Sequence, residues 1–382
     1  MGNNASRDIA IIGGGIGGLT AALAFARQDA VVTVYEQAPA LTEVGAGLQI
    51  TPNGARALNA LGLEKALGVS GVTAQAVAPM DALTGKQITR YDLSTQTPPY
   101  RFYHRAALID VLARACAAAG VTVKLGARVE KLQPDGSFEL AGEQVKSDLT
   151  IGADGLHSVV RGMINTAAKP FFTGQVAWRA LVKVENPDPI ARVWMAPGRH
   201  MVTYPLSGGR LNIVAVQQRS QWAAEGWHHD DDAGNLRQAF ADCSWDVKSI
   251  LGDVEKANLW GLFRHPVAAK WHAGPVAILG DAAHPTLPFL AQGANLAIED
   301  AFVLACCCDE NTNLEQGLAA YQGLRRARVV KAISAANSNA RNYHFGGLKR
   351  TVAHNGLRVL GKVAPNAFLN RLGWLYDHDV TK

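Results

Sequence analysis

Hydrophobic positions change their period along this chain. Ile9–Ile12 is a short unbroken apolar run, the pattern of a strand buried on both faces. A helical stretch follows it, then a second strand at Val31–Tyr35 that Glu36 ends. Further on, Asn53–Leu61 and Arg105–Ala119 read as helices stopped by Gly62 and Gly120. Val121–Leu125 and Asp148–Ile151 read as strands. Between them Val129–Leu132 and Ser137–Leu140 form a meander around the turn Pro134-Asp135-Gly136.

From Gly174 the pattern becomes that of an antiparallel sheet rather than of βαβ units. VAWRALVKV, ARVWMAP, RHMVTYPL and RLNIVAVQQ are four β-type runs in close succession. Two or three helices are expected between Trp222 and Leu251. A strand is expected at Leu259–Phe263 and a buried one at Val276–Leu279. Helices then cover Asn295–Cys308 and Leu314–Ser338. Phe345–Lys382, with Trp374 and Tyr376, reads as an amphipathic tail packed on the body or on a dimer partner.

The first strand–helix junction carries the clearest chemistry. Gly13, Gly15 and Gly18 give G-x-G-x-x-G. The first glycine permits the turn, the second lets the backbone approach a pyrophosphate, and the third lets the helix pack close to the strand. The helix N-terminus offers unpaired N–H groups to that pyrophosphate. Glu36, eighteen residues after Gly18, can accept hydrogen bonds from a ribose hydroxyl. No Arg follows closely, so a 2′-phosphate is not expected. The motif alone does not decide between NAD and FAD. It is the one such fingerprint in the chain, which argues against an enzyme with a second dinucleotide domain.

Composition narrows the class without naming a reaction. The 382 residues are 48% hydrophobic and 18% charged, enough for about two domains. A net charge of +5, spread along the chain, suits small anions and does not indicate nucleic acid. The N-terminus lacks an apolar signal region and no apolar run reaches membrane-spanning length, so a cytoplasmic protein is expected. Five cysteines include no C-x-x-C, so neither zinc nor a redox dithiol is expected; Cys306–Cys308 read as small residues on a helix. Arg325, Arg326, Arg328 and Lys331 read as a solvated helix face.

Two further strand ends stand out. In Asp154-Gly155-Leu156-His157-Ser158-Val159-Val160-Arg161, a strand delivers Asp154 into a glycine turn; a purely structural turn is the competing reading. Gly280-Asp281-Ala282-Ala283-His284-Pro285 is followed by a loop opening a helix near Gly293. Asp281 at a strand end can accept hydrogen bonds from a sugar-alcohol chain. The helix start directs a positive dipole at whatever lies before it.

These motifs, in this order, resemble the single-component (group A) FAD-dependent aromatic monooxygenases, the p-hydroxybenzoate hydroxylase family. Gly45–Ile50 with Pro52-Asn53, His104-Arg105, Ala177-Trp178-Arg179 and Tyr204-Pro205 resemble its salicylate hydroxylase, 3-hydroxybenzoate 6-hydroxylase and 6-hydroxynicotinate 3-monooxygenase branch. The resemblance runs to about residue 340. It implies an α/β (α+β) protein of the p-hydroxybenzoate hydroxylase fold. A Rossmann-like FAD-binding domain (1–75, 100–170, 265–340) would interleave with an antiparallel-sheet substrate domain (76–99, 171–264), ahead of a helical tail (341–382).

The resemblance also implies site roles. Gly13, Gly15 and Gly18 would cradle the FAD pyrophosphate, with Glu36 on the adenosine ribose and Val129 at the adenine. Ala46 would line the cofactor site. Arg105 would reach the phosphate or ribityl region, and Asp281 would hold the ribityl or pyrophosphate. Gly293, Ala294 and Asn295 would offer N–H groups to the flavin pyrimidine. Asp154 and Arg161 would support the cleft and the visiting nicotinamide nucleotide. The expected partners are FAD, NADH or NADPH as transient reductant, O2, and an aromatic substrate hydroxylated through a flavin C4a-hydroperoxide. The protein would be a monomer or homodimer.

On the substrate side, His200 and Tyr204 share a strand face, about 13 Å apart. The resemblance gives His200 the role of a base titrating near neutrality, with Tyr204 and Gln49 beside it. A structural His and a core Tyr are the competing reading. Pro288 and Phe289 would border the pocket. Phe289 stands where several salicylate- and hydroxybenzoate-type relatives carry His or Gln, and it neither donates nor accepts a proton. A larger or more apolar substrate, epoxidised or oxidised, is therefore the alternative reaction. A non-catalytic FAD-binding protein is the third reading.

Overall fold

Strand Asp8–Ile12 lies inside a six-stranded sheet in the computed structural model, which describes residues 2–41, 47–166, 170–219 and 230–382. Across that sheet run strands 272–273, 276–278, 149–152, 8–12, 31–36 and 122–125. All neighbours pair in parallel except the edge pair 272–273 with 276–278. Ile9, Ile11, Leu149, Ile151, Val276 and Ile278 are wholly buried, because helices cover both faces of a parallel sheet.

Helix Ile16–Ala26 leaves the first strand through the glycine turn. A Cβ on Gly18 would stand 1.9 Å from the Gly13 carbonyl oxygen, so only glycine lets helix and strand come this close. Gly13 itself has φ +108°, in the region that favours glycine. Helix Gly293–Glu310 packs beside this one and against helix Leu314–Tyr343.

The second large sheet has eight strands: 230–231, 257–264, 171–183, 210–218, 199–206, 190–196, 76–81 and 91–92 across the sheet. Its pairs are antiparallel with one exception. Ile190–Ala196 lies parallel to Ala76–Asp81, a pairing absent from the purely antiparallel expectation. No hairpin can join two segments so distant in sequence, so either direction is open to them.

Period-2 alternation gives this sheet two different faces. Trp178, Ala180, Met201, Ile213 and Ala215 pack with Leu236, Phe240, Val247 and Leu251 from helices Ala233–Ala239 and Trp245–Gly252. Arg179, His200, Val202, Tyr204 and Val214 point the other way, toward the first sheet. Part of the expected helical span, 220–229, lies outside the described residues.

The C-terminal segments close over the body of the same chain. Helix Leu314–Tyr343 runs five residues beyond its expected end at Ser338. Two helices, Gly347–Val363 and Ala367–Tyr376, follow it. Tyr91 stacks on Phe368 with ring centroids 4.2 Å apart, and Arg328 donates to the Trp374 and Leu375 carbonyls. Among the described residues no helix is long and apolar enough to cross a membrane.

The basic run on helix Leu314–Tyr343 is only in part a solvated face: Arg326 and Lys331 are exposed, whereas Arg325 and Arg328 turn inward. Arg325 is only 1% exposed and pairs with Glu299 at 2.6 Å and Asp300 at 2.8 Å, both wholly buried. Arg328 adds a second pair with Glu299 at 2.8 Å. Arg326 donates to the Ala268 carbonyl, and Lys331 lies over the Trp374 ring. Arg325 and Arg328 turn inward because helix Gly293–Glu310 buries two carboxylates against them.

Candidate active site

A cleft of about 570 Å³ separates the two sheets, within the usual range for a ligand site. Gly13, Gly15, Glu36, Gln49, Arg105, Val129, Asp154, His200, Tyr204, Asp281, Pro288, Gly293 and Ala294 all line it. Segments far apart in sequence thus converge on one cavity. Ala46 lies outside the described residues.

Two helices begin at this cleft without a side-chain cap and without an acid in the first turn. One starts after Gly15, the other after Gln292. Their leading N–H groups have no intrahelical acceptor, so each end is a site for negative charge. At Gly15 a Cβ would meet nothing within 4 Å, which leaves room for a ligand against the backbone. Gly18 is not part of the lining; it lies behind the turn as a packing position.

Glu36 has already committed part of its carboxylate. Its Oε2 accepts from the Gly14 N–H at 2.6 Å and its Oε1 from the Ala38 N–H at 2.7 Å. Each oxygen keeps a further lone pair for a hydroxyl donor. Asp154 accepts from the Ser158 hydroxyl and from the Val159 N–H at 2.8 Å, so it caps a short helix while edging the cleft. Arg161 turns away from the cleft. It donates to the carbonyls of Pro266, Ala282 and Ala283, and so fixes the Asp281 turn from behind.

Asp281 follows Gly280, whose N–H donates to Asp300. Asp300 also holds His284 and Arg325, tying this turn to the helix that begins at Gly293. Enclosure by the cleft walls raises the Asp281 carboxyl pKa, and attraction from His284 and Arg105 offsets this in part. Burial likewise lowers the pKa of Arg105, against the pull of Asp281.

Asn295 is not part of the lining. Its Oδ1 accepts from the Thr51 N–H at 2.9 Å, and its Nδ2 donates to the Gln49 and Ala291 carbonyls. It clamps strand Gly47–Ile50 to the start of helix Gly293–Glu310. Ala291, with φ +55°, carries the left-handed turn from Pro288–Leu290 into that helix.

The sheet wall of the cleft is polar but held neutral apart from one cation. Tyr204 pairs across the strands with Asn212, and Val202 with Val214. Burial drives the Tyr204 pKa up, and Arg179, Gln49 and Asn212 counter it only partly. Tyr100 donates its hydroxyl to Gln49 Oε1. Arg179 stacks over Trp260 at 4.7 Å; burial lowers its pKa to about 10, so it stays charged at neutral pH.

His200 departs from the expected base. It is 1% exposed, and its Nδ1 lies 2.7 Å from His344 Nε2. Burial, then the neighbouring His344, hold its pKa well below the usual histidine range. It is a neutral imidazole at physiological pH, packed by Phe289, Tyr343 and His344.

Phe289 borders a smaller cavity of about 70 Å³. Tyr91, Tyr100, Tyr343, Phe368 and Tyr376 also line it, and it shares Gln49, Val202, Pro288 and Ala291 with the main cleft. The site residues that sequence reasoning missed are Arg179 and His344. The same alternation that singles out His200 and Tyr204, carried across the register of two strand pairs, places Arg179 on their face. Nothing local marks His344.

The fold and the cleft define a dinucleotide-binding protein, and its similarity to known proteins makes the dinucleotide FAD. A family model described as an FAD binding domain matches residues 6–336. The chain belongs to this FAD-binding family, that of the FAD-dependent aromatic monooxygenases, and its cofactor is FAD. The 3-amino-4-hydroxybenzoate 2-monooxygenase of Streptomyces cremeus is 35% identical over 352 residues, 88% of each chain. The 3-hydroxybenzoate 6-hydroxylase of Polaromonas naphthalenivorans is 32% identical, covering 99% of this chain and 98% of its own. Klebsiella pneumoniae HpxO, solved with FAD and uric acid, shares the fold with a TM-score of 0.84. It is 24% identical and covers 96% of this chain and 97% of its own. A salicylate hydroxylase substrate complex superposes with a TM-score of 0.81 at 23% identity, covering 99% and 97%.

Proposed function

We propose that this enzyme hydroxylates an aromatic acid or phenol, with NADH or NADPH as reductant and O2 as oxidant. The balance is substrate plus O2, NAD(P)H and a proton, giving hydroxylated substrate, water and NAD(P)+. The observation that carries this reading is the sheet wall of the cleft. There Arg179, His200 and Tyr204 lie with apolar Val202 and Val214, while Gln49, Pro288 and the uncapped Gly293 helix also line the cavity. A planar ring fits between such walls, with polar groups at its edge.

Bound FAD supplies the reductive activation of dioxygen. The chain supplies position and exclusion. Gly13 and Gly15 hold the pyrophosphate against the first helix start, Glu36 the ribose, and Asp281 with Arg105 the linking chain. Gly293 and Ala294 offer N–H groups where a flavin ring would gain negative charge. Arg179 draws an anionic edge of the substrate. Tyr204, kept protonated by burial, donates a hydrogen bond without delivering a full charge. The buried aromatic wall keeps water from the reacting ring.

A second substrate class is favoured by the small aromatic cavity. Its shared residues make it an extension of the main cleft, suited to an apolar substituent on the substrate ring. Incubation with 18O2 and a panel of aromatic acids and phenols tests the reading. One 18O atom in a product that remains aromatic is expected. An oxygenated product without the aromatic ring, or no labelled product, would contradict it.

A further inference from the structure

His344 is the first residue after helix Leu314–Tyr343. Its backbone carbonyl accepts from the Gly198 N–H at 3.2 Å, in the turn of the hairpin that bears His200. The two imidazoles share one hydrogen bond, between His200 Nδ1 and His344 Nε2 at 2.7 Å. One ring must donate and the other accept, because both are neutral.

The environment of His344 decides which. Its Nδ1 is buried and has no hydrogen-bond partner among the described residues. A proton there would leave an N–H group orphaned in the interior, rarer in native structures than an unsatisfied acceptor. The proton therefore sits on His344 Nε2 and is donated to His200 Nδ1. His200 then carries its own proton on Nε2, the nitrogen left for a ligand in the cleft it lines.

We propose that His344 is a positioning residue that fixes His200 as a hydrogen-bond donor. The substrate edge that meets His200 is consequently an acceptor: a phenolate, carboxylate or carbonyl oxygen, or a pyridine-type nitrogen. His200 does not take a proton from the substrate; it selects substrates already presenting a lone pair there. This rests on the reading that the sheet wall binds the substrate. The adjoining Phe289 ring, 5.4 Å from His200 between centroids, offers no competing acceptor.

The tautomer is read directly, without substrate, by long-range 1H–15N correlation of the holoenzyme labelled with 15N-histidine. The His200 signals are assigned by their loss in His200→Gln. Protonation of His200 at Nε2 is expected; protonation at Nδ1 overturns the proposal, whatever the enzyme is found to hydroxylate. His344→Phe keeps a ring but removes the donor, whereas His344→Gln returns an N–H near the same place. With FAD content unchanged, KM for a turned-over aromatic is expected to rise about tenfold in His344→Phe, the scale of one lost hydrogen bond. In His344→Gln it should stay within about threefold. Equal KM in all three proteins overturns the role of His344.

Discussion

His200 and His344 meet at 2.7 Å across 144 positions of sequence, and burial keeps both neutral. The His344 pKa falls to about 4 and that of His200 falls well below its ordinary value. In the unfolded chain each returns to about 6.5. Below that pH the unfolded state binds protons that the folded state refuses. Stability is therefore complete above about 6.5 and declines with acidification, for His344 until about pH 4. Urea unfolding should show this as a loss on the order of 2 kcal/mol from His344 between pH 7 and 5. The loss should be smaller in His344→Phe; identical pH slopes in the two proteins would contradict the assignment.

The glycines of the first turn divide between ligand room and packing. Gly15→Ala adds a methyl where nothing stands within 4 Å, and Gly18→Ala sets one 1.9 Å from a carbonyl oxygen. Gly15→Ala should unfold at nearly the wild-type temperature once FAD is stripped from both, yet rebind FAD at least about tenfold more weakly. Gly18→Ala should fail to accumulate as folded protein. If Gly15→Ala retained FAD at wild-type affinity, the pyrophosphate would not pass this turn.

Asp281 opens onto the cleft beside Arg105, and neither the turn nor the helix behind it depends on its carboxylate. Asp281→Ala should fold normally and purify with little bound FAD. Absorbance at the flavin bands against total protein measures this. Full yellow occupancy would remove Asp281 from the cofactor site.

Arg325 neutralises Glu299 and Asp300 inside the protein. Arg325→Met keeps the volume and takes a charged partner from each of two buried carboxylates, leaving Glu299 to Arg328 and Asp300 to His284. It should cost about 3–5 kcal/mol, seen as a lowered urea midpoint. A surface arginine in the same helix would cost less than about 0.5 kcal/mol. A loss of that small size would restore the solvated-face reading.

Local patterns made much of the site legible and distant pairings did not. Gly13, Gly15, Gly18 and Glu36 belong to one strand–helix–strand unit, so their spacing alone marks a nucleotide site. His200 and Tyr204 follow from alternation within one strand; setting Arg179 on their face needs the register of two further strand pairs, which only the fold supplies. His344 is set opposite His200 only by the end of a 30-residue helix, which no local signal aims. Arg325 misled because a cation on a helix usually faces water. Glu299-Asp300 inside the apolar run Leu296–Cys308 was the available sign that buried acids needed partners. The depressed pKa of His200 arises wholly from burial and a neighbour far along the chain, so residue type alone suggested a base.

The most direct measurement follows NADH and NADPH oxidation by the purified yellow protein while oxygen uptake and peroxide are recorded together. A panel of hydroxybenzoates and other aromatic acids is supplied in turn. At least one should accelerate nucleotide oxidation with oxygen consumed in equal amount and little peroxide released. No acceleration by any aromatic, or oxygen returned entirely as peroxide throughout the panel, would contradict an aromatic hydroxylase built around this cleft.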